Sequence, residues 1–331
     1  MSNVRSAREA AGLTQTELAQ RAGVSRQLVG SLESGRHLPR VDAAIALAHA
    51  LDVDVVHLFG RLPSPVDVVT GASPEDGSVV RIGRVGDRVV TAAARSGLDG
   101  FDVADAVIRD GAVDALDESA PGFVVAGCEP GLGLLERLLR EGGMRAVSAP
   151  SSSAAAMRAL VDGRAHAAVV HGADSTFPRL PASVALERYR LCAWQVGLSA
   201  PADANGTWWA PVLEGRAPVV QRESGAGVQR AFEAAVGSGG VAGPRVGTHM
   251  DAAWRSVVAG MAAVTIEPAA LAVGARFHAL ETHRAELWCR TEWVRSRPVT
   301  AALDTVAGAR FQRRLSSVGG YDLAGCGGRL A

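Results

Sequence analysis

Over the first sixty residues apolar positions recur every three or four residues, the spacing of helices that each bury one face. Residues 4–11 predict a first helix. In residues 13–36, LTQTELAQRAGVSRQLVGSLESGR, Leu18 and Ala22 fall on the inner side of one helix and Val29 and Leu32 on that of the next. Thr14 and Ser25 stand where N-caps are needed, and Gly23 supplies the tight turn between them. Val41, Ala44, Ile45, Ala48 and Leu51 predict a fourth helix, and residues 55–59 a short closing one. The periodicity then stops. Residues 60–77 carry Pro63, Pro65, Pro74 and several small residues, the composition of an exposed linker.

Beyond it the period changes. SVVRIGRVGDRVVT alternates apolar and polar residues around Gly86 and Asp87, which predicts a hairpin, and residues 104–108 form a short apolar segment. From Phe123 strand-like and helix-like runs alternate: FVVAG, GLGLLERLL, RAVS, SAAAMRALVDG, AHAAVVHG. A second series follows with LCAWQVGLSA, APVVQ, GVQRAFEAAV, a short strand near Arg245 and Val246, DAAWRSVVAG, AAVTI and EPAALAVGA. AELWCRTEWV and a helical C-terminus ending in GGYDLAGCGG close the chain. Such alternation predicts a mostly parallel sheet covered by helices, and two series predict two lobes with a cleft between them. The expected boundaries are residues 1–60, a linker over 61–78, and 79–331.

Composition narrows the classes. A chain of 331 residues is too long for the helical domain alone, and 48% hydrophobic with 21% charged residues is ordinary for a globular protein. Net charge is zero, yet residues 1–40 hold six arginines against three glutamates, a local balance that favours a phosphate partner. No apolar run is long enough to span a bilayer and no signal-peptide order opens the chain, so a soluble, cytoplasmic protein without a membrane partner is expected. Cys128, Cys192, Cys289 and Cys326 are scattered, with no C-x-x-C pair and no His at ligand spacing. Neither a disulfide framework nor a metal site is expected from them, and no cofactor.

The two capped helices have the geometry of a groove reader, in which the first residues of the second helix meet base edges while the first helix crosses the backbone. Arg26, Gln27, Gly30 and Ser31 face outward, and Arg and Gln can bond bidentately to guanine and adenine edges. Thr14, Gln15 and Arg36 are placed for phosphates, and Ser25 caps the reading helix beside them. The LTQxELAxxAGVS run and the LExGR ending, Leu32, Glu33, Ser34, Gly35 and Arg36, resemble the phage-repressor-like (Cro/cI, or XRE) helix-turn-helix family over about sixty residues. That resemblance implies an all-α five-helix domain that binds a double-stranded DNA operator, commonly as a homodimer.

A second resemblance spans residue 79 to the C-terminus. GCEPGLGLL, VDGRAHAAVVHGAD, QRESGAG, THMDAAWRSVVAG and TIEPAALAVGARF resemble the periplasmic-binding-protein-like domain fused to bacterial helix-turn-helix regulators and often labelled molybdate-binding. It implies a two-lobe α/β type II fold whose first and last segments share one lobe. Ligands in such folds are held by strand-to-helix loops, where helix N-termini present free N–H groups. The candidates are therefore Cys128, Glu129, Ser151, Ser152, His171, Gln195, Arg222, Glu223, Ser224, Gly225, Thr248, His249 and Glu267. The serines can equally be plain caps, and the histidines structural. Trp194, Trp208 and Trp209 can line an aromatic wall or fill the core. Ala226, Val228 and Gln229 stand where relatives carry hydroxyls and a closing Arg, and Glu129 and Glu267 would repel an anion. The effector is thus an oxyanion or a small organic metabolite, with the latter favoured.

Enzyme signatures are missing. Residues 222–226 make no G-x-S-x-G elbow, Gly131 and Gly133 lack a third glycine, and a chain without lysine has no Walker A motif. The expected function is a one-component transcriptional regulator. The alternatives are a ligand-free domain used for dimerisation and a catalytic α/β domain tethered to DNA.

Overall fold

The computed structural model describes residues 3–34, 37–59, 64–94, 104–116, 122–237 and 240–331. They form two units, Met1–Pro63 and Ser64–Ala331.

The first unit is helical: α1 (Asn3–Ala10), α2 (Gln15–Ala22), α3 (Arg26–Glu33), α4 (Val41–Leu51) and α5 (Val55–Phe59). Thr14 forms a full capping box with Glu17 at the start of α2, and Ser25 Oγ accepts the Leu28 N–H at the start of α3. Between them Gly23 takes φ +65°, a left-handed conformation that favours glycine. Val4, Leu18, Val29, Leu32, Leu47 and Leu51 fill the core. One expected face is corrected. On α4 the buried stripe is Ala44, Leu47, Ala48 and Leu51, while Val41 is 76% and Ile45 45% exposed. Small Ala44 and Ala48 let α4 lie close against α2, which turns Val41 and Ile45 away.

The second unit starts earlier than its linker-like composition suggests. β1 (Val66–Asp67) lies parallel to β3 and Val68 is fully buried, so part of residues 61–78 belongs to a sheet. That five-stranded sheet has the order β1-β3-β2-β4-β5, with β2 (Val79–Val85), β3 (Arg88–Ala93), β4 (Ala106–Arg109) and β5 (Ala112–Ala115). The predicted hairpin around Gly86 is β2 and β3.

The chain continues through β6 (Phe123–Ala126), α6 (Gly131–Glu141), β7 (Ala146–Ala149), α7 (Ser153–Val161) and β8 (Ala167–Gly172). Next come β9 (Leu186–Ala200), α8 (Ala210–Leu213), β10 (Gln221–Arg222), α9 (Gly227–Val236), β11 (Arg245–Val246) and α10 (His249–Val258). β12 (Ala263–Ile266), α11 (Glu267–Ala272), β13 (Arg276–Arg290), α12 (Arg297–Ala307), α13 (Ala309–Ser316) and β14 (Arg329–Leu330) complete it. The main sheet is mixed rather than mostly parallel. β6 runs parallel to β7 and β8, but β13 is antiparallel to both β8 and β9, and β12 is antiparallel to β9. β8 and β9 therefore run the same way on either side of β13, and the direction reverses after β9, because β10 and β12 run opposite to it.

β9 and β13, 15 residues each, join two lobes. One lobe is built on β6, β7 and β8 with α6 and α7, and the late helices α12 and α13 return to pack on α6. The other is built on β10, β11 and β12 with α9, α10 and α11. First and last segments therefore share a lobe. The final turn returns to β9 through the Ala193 to Asp322 bridge, which carries Tyr321 to the strand crossing.

Candidate functional site

On the helical unit, Arg26 and Gln27 occupy the first two positions of α3 and are exposed, while Gly30 and Ser31 one turn on are half-buried. Thr14 and Ser25 spend their hydroxyls on caps. Half-buried Gln15 at the start of α2 donates from Nε2 to Glu33 Oε2 at 2.9 Å. Glu33, which sequence reasoning passed over, also takes Arg8 Nε at 2.6 Å and Arg5 Nε at 3.3 Å and so ties α1, α2 and α3 together. Arg36 lies outside the described residues.

In the second unit the site grows from four chain crossings. Gly127 ends β6 where a Cβ would stand 2.6 Å from Val169, so only a glycine lets the strand turn there and deliver Cys128. His171 sits near the end of β8, its N–H bound by Ser153 Oγ at 3.1 Å. Arg222 ends β10, and Thr248 caps α10 so that His249 opens that helix. His283 comes from β13 and packs with His171 against Gly227, where a Cβ would be 3.2 and 3.3 Å from the two rings.

These side chains form one hydrogen-bonded chain. Glu281 Oε1 is 2.6 Å from His283 Nε2, His283 Nδ1 is 3.2 Å from His171 Nδ1, and His171 Nε2 is 3.2 Å from Cys128 Sγ. Cys128 Sγ is 3.5 Å from His249 Nε2, whose Nδ1 is 2.7 Å from Arg222 Nη1. Arg222 also donates to the Val246 and Gly247 carbonyls. The ends assign the protons, because a guanidinium only donates and a carboxylate only accepts. His283 therefore donates through Nε2 and accepts at Nδ1 from His171, which leaves the His171 Nε2 lone pair for the Cys128 thiol. At the other end His249 accepts at Nδ1 from Arg222 and donates from Nε2 to the sulfur.

Burial dominates the electrostatics. It pushes the Cys128 thiol up to about 12, against the pull of Arg222 and with Glu129 and Glu223 adding to the rise. It takes His171 down to about 3, with His283 and Arg222 adding, and holds His249 well below the usual histidine range. Both imidazoles are neutral at pH 7. Burial likewise raises Glu129 to about 7, although the Tyr321 hydroxyl at 2.5 Å and the Gly131 N–H at 2.8 Å oppose it. Glu129 Oε2 and Trp194 Nε1 are buried without a hydrogen-bond partner.

Of the sequence candidates, Cys128, His171, Arg222 and His249 meet, and Glu129 stands beside them. Others do not join. Ser151 donates to the Ala149 carbonyl and Ser152 caps α7. Glu223, Ser224 and Gly225 are exposed, and Glu267 is half-buried beside Gly320. Gln195 is a correction: it donates to Thr282 Oγ1 and alternates along β9 with Trp194, so it faces away from the side on which Trp194 meets His171. Trp208 and Trp209 pack on each other and on His278. Although no His stands at ligand spacing from a cysteine along the chain, Cys128, His171 and His249 bring one donor atom each within 4.8 Å of one another. Glu281, His283 and Tyr321 carried no sequence signal.

Comparison with known proteins agrees with this architecture. Residues 4–58 match the helix-turn-helix family model, and residues 135–307 match the PBP superfamily domain. An uncharacterized HTH-type transcriptional regulator of Methanothermobacter thermautotrophicus is 48% identical over 48 residues, 14% of this chain and 70% of that protein. Among solved structures, the restriction-modification controller protein C.AhdI from Aeromonas hydrophila is 37% identical, with a TM-score of 0.17 over 17% of this chain and 86% of its own. A putative phosphate ABC transporter substrate-binding protein from Clostridium perfringens, solved with bound phosphate, is 11% identical with a TM-score of 0.47, over 61% of this chain and 98% of its own. No helix of the described residues is long and apolar enough to cross a membrane. The chain belongs to the PBP superfamily and carries that domain behind an XRE-type helix-turn-helix domain, as a transcriptional regulator.

Proposed function

We propose that this chain is a one-component regulator in which a small ligand, held between the lobes of the second unit, alters operator binding by the first. One observation carries this reading. Arg222 and His249 from one lobe, and Cys128 and His171 from the other, meet in a single buried polar cluster beside the two strands that join the lobes. Buried polar groups cost stability unless they are hydrogen-bonded, these are bonded to one another across the lobes, and a cleft between lobes is where such folds hold ligands. The DNA half rests on Arg26 and Gln27 at the exposed start of α3, acting as a homodimer on a two-fold operator in the cytoplasm.

The experiment is to select bound sequences from a random DNA pool with the full chain, then measure affinity for the selected site with and without candidate ligands. Thermal shift is read on the same protein. Ligands that raise the melting temperature should change operator affinity, and His283→Ala should weaken both effects. A protein that binds its site with unchanged affinity while a cleft ligand saturates it would sink the sensing half and leave DNA binding standing.

A further inference from the structure

Building on the reading of the cleft as the sensing site, we propose that Cys128, His171 and His249 bind a borderline-soft transition-metal ion such as zinc, and that this ion closes the two lobes on each other. A tetrahedral ion with sulfur at about 2.3 Å and imidazole nitrogen at about 2.0 Å sets S···N separations near 3.5 Å. The Sγ to Nε2 separations are 3.2 and 3.5 Å, so sulfur and each nitrogen already stand at ligand spacing. One thiolate and two imidazoles are the donors zinc, nickel and cobalt take in preference to magnesium or calcium.

The surroundings of His171 fit the role. A metal-bound imidazole generally donates its second N–H to an acceptor that fixes its tautomer. Here His171 Nδ1 donates to His283, which Glu281 holds in turn, and the Nε2 lone pair faces the sulfur. Glu223 acts on Cys128 and Glu281 ends the histidine chain, facing the guanidinium of Arg222 at the sulfur and that of Arg230 at the histidines.

His249 is where apo and bound states must differ. While Arg222 Nη1 donates to Nδ1, the Nε2 of His249 carries its proton toward Cys128 and cannot ligate. Binding therefore shifts that proton to Nδ1, displaces Arg222 from the ring and releases the thiol proton to solvent, one proton per ion. Arg222 is the latch of the ion-free state. Three protein ligands leave a fourth position for water or for a donor atom of a small effector.

The test uses the full chain, freed of metal by a chelator and titrated with cobalt(II), whose thiolate charge-transfer absorption reports a sulfur ligand. One ion per chain and a near-ultraviolet charge-transfer band are expected. Cys128→Ser should lose the band, and His171→Ala and His249→Ala should each weaken binding tenfold or more. Arg222→Met should tighten cobalt binding, whereas it would abolish binding of an oxyanion held by that guanidinium. Circular dichroism at 25 °C establishes that each variant is folded. The proposal fails if the wild type shows no band, if the band survives in folded Cys128→Ser, or if Arg222→Met weakens cobalt. If cobalt does not bind while an oxyanion or organic ligand still shifts the melting temperature, the metal assignment falls and the sensing reading stands. Cobalt binding with unchanged operator affinity keeps the metal site and removes its part in sensing.

Discussion

Glu33→Ala should unfold the DNA-binding unit first. Glu33 is 5% exposed and accepts from Arg8 through both carboxylate oxygens, from Arg5 and from Gln15. Hydrogen bonds to charged groups contribute about 1.5 to 3 kcal/mol each, and breaking a buried ion pair costs about 3 to 5 kcal/mol. Arg5 is half-exposed and regains water when the carboxylate goes, but Arg8 is largely covered, so a loss of about 3 kcal/mol follows. For a unit of this size that is roughly 12 to 24 °C in Tm. Burial alone would raise the Glu33 carboxyl, and the bonds from Arg8 and Gln15 overcome it and hold the group below its ordinary value. A depressed carboxylate contributes stability that is complete above the unfolded value near 4.3 and is lost as pH falls through the folded value. Wild type should therefore lose this unit's advantage over Glu33→Ala only in acid. The assay is urea unfolding of the full chain by far-ultraviolet circular dichroism. All six tryptophans lie at or beyond residue 194, so fluorescence reports the second unit alone and should not change. A first helical transition within 0.5 kcal/mol of wild type at pH 7 would refute the assignment of Glu33 as the pin.

Arg26→Ala and Gln27→Ala should each cost about 1 to 3 kcal/mol at the selected operator and relax preference at one base pair, read by selection from randomised sites. Glu136→Ala removes the carboxylate that Arg81 holds at 3.0 and 2.8 Å, although Arg81 keeps its bond to the Ala146 carbonyl, and should cost about 3 to 5 kcal/mol in the fluorescence-detected transition. Gly197→Ala places a Cβ 2.0 Å from the His278 carbonyl where β9 meets β13, so soluble yield should collapse, while Gly133→Ala, with open space around it, serves as the control. Sedimentation on operator DNA should show two chains per site, with half-sites about 10 to 10.5 bp apart.

What was legible in the sequence is what is local. Thr14, Gly23 and Ser25 act on backbone groups within three residues, so their types and spacing announce the helix pair before any packing is known. Glu33 was not legible as a pin, because Arg5 and Arg8 reach it from 28 and 25 positions away. The same distance hid the cleft cluster: His171 and His249 lie 43 and 121 positions from Cys128, and each looks solitary along the chain. Gln195 was misplaced by strand parity, since one step along β9 exchanges faces of the sheet. Periodicity also misjudged α4, where it identifies apolar residues but not which of two neighbouring stripes a partner helix covers. Strand direction failed for a related reason: alternating runs of strand and helix imply one direction throughout, and the chain reverses after β9.

The ligand set also bounds how strongly the cleft can speak to the operator. Cys128 and His171 belong to one lobe and His249 to the other, so an ion binds the closed arrangement with one protein ligand more than the open one. A ligand shifts an equilibrium only by its difference in affinity for the two states, however tightly it binds overall. Couplings of this kind run to about 1 to 3 kcal/mol, a factor of roughly 5 to 150. His249→Ala removes the lobe-bridging contact and leaves Cys128 and His171, so residual metal binding should persist with its effect on DNA gone. The coupling is also reciprocal, and operator DNA must change the affinity for the ion by the same factor by which the ion changes the affinity for DNA. Cobalt titrated with and without a saturating operator measures one side of that identity and DNA titrated with and without cobalt the other, and two unequal factors would mean that the ion and the DNA do not act through one shared equilibrium.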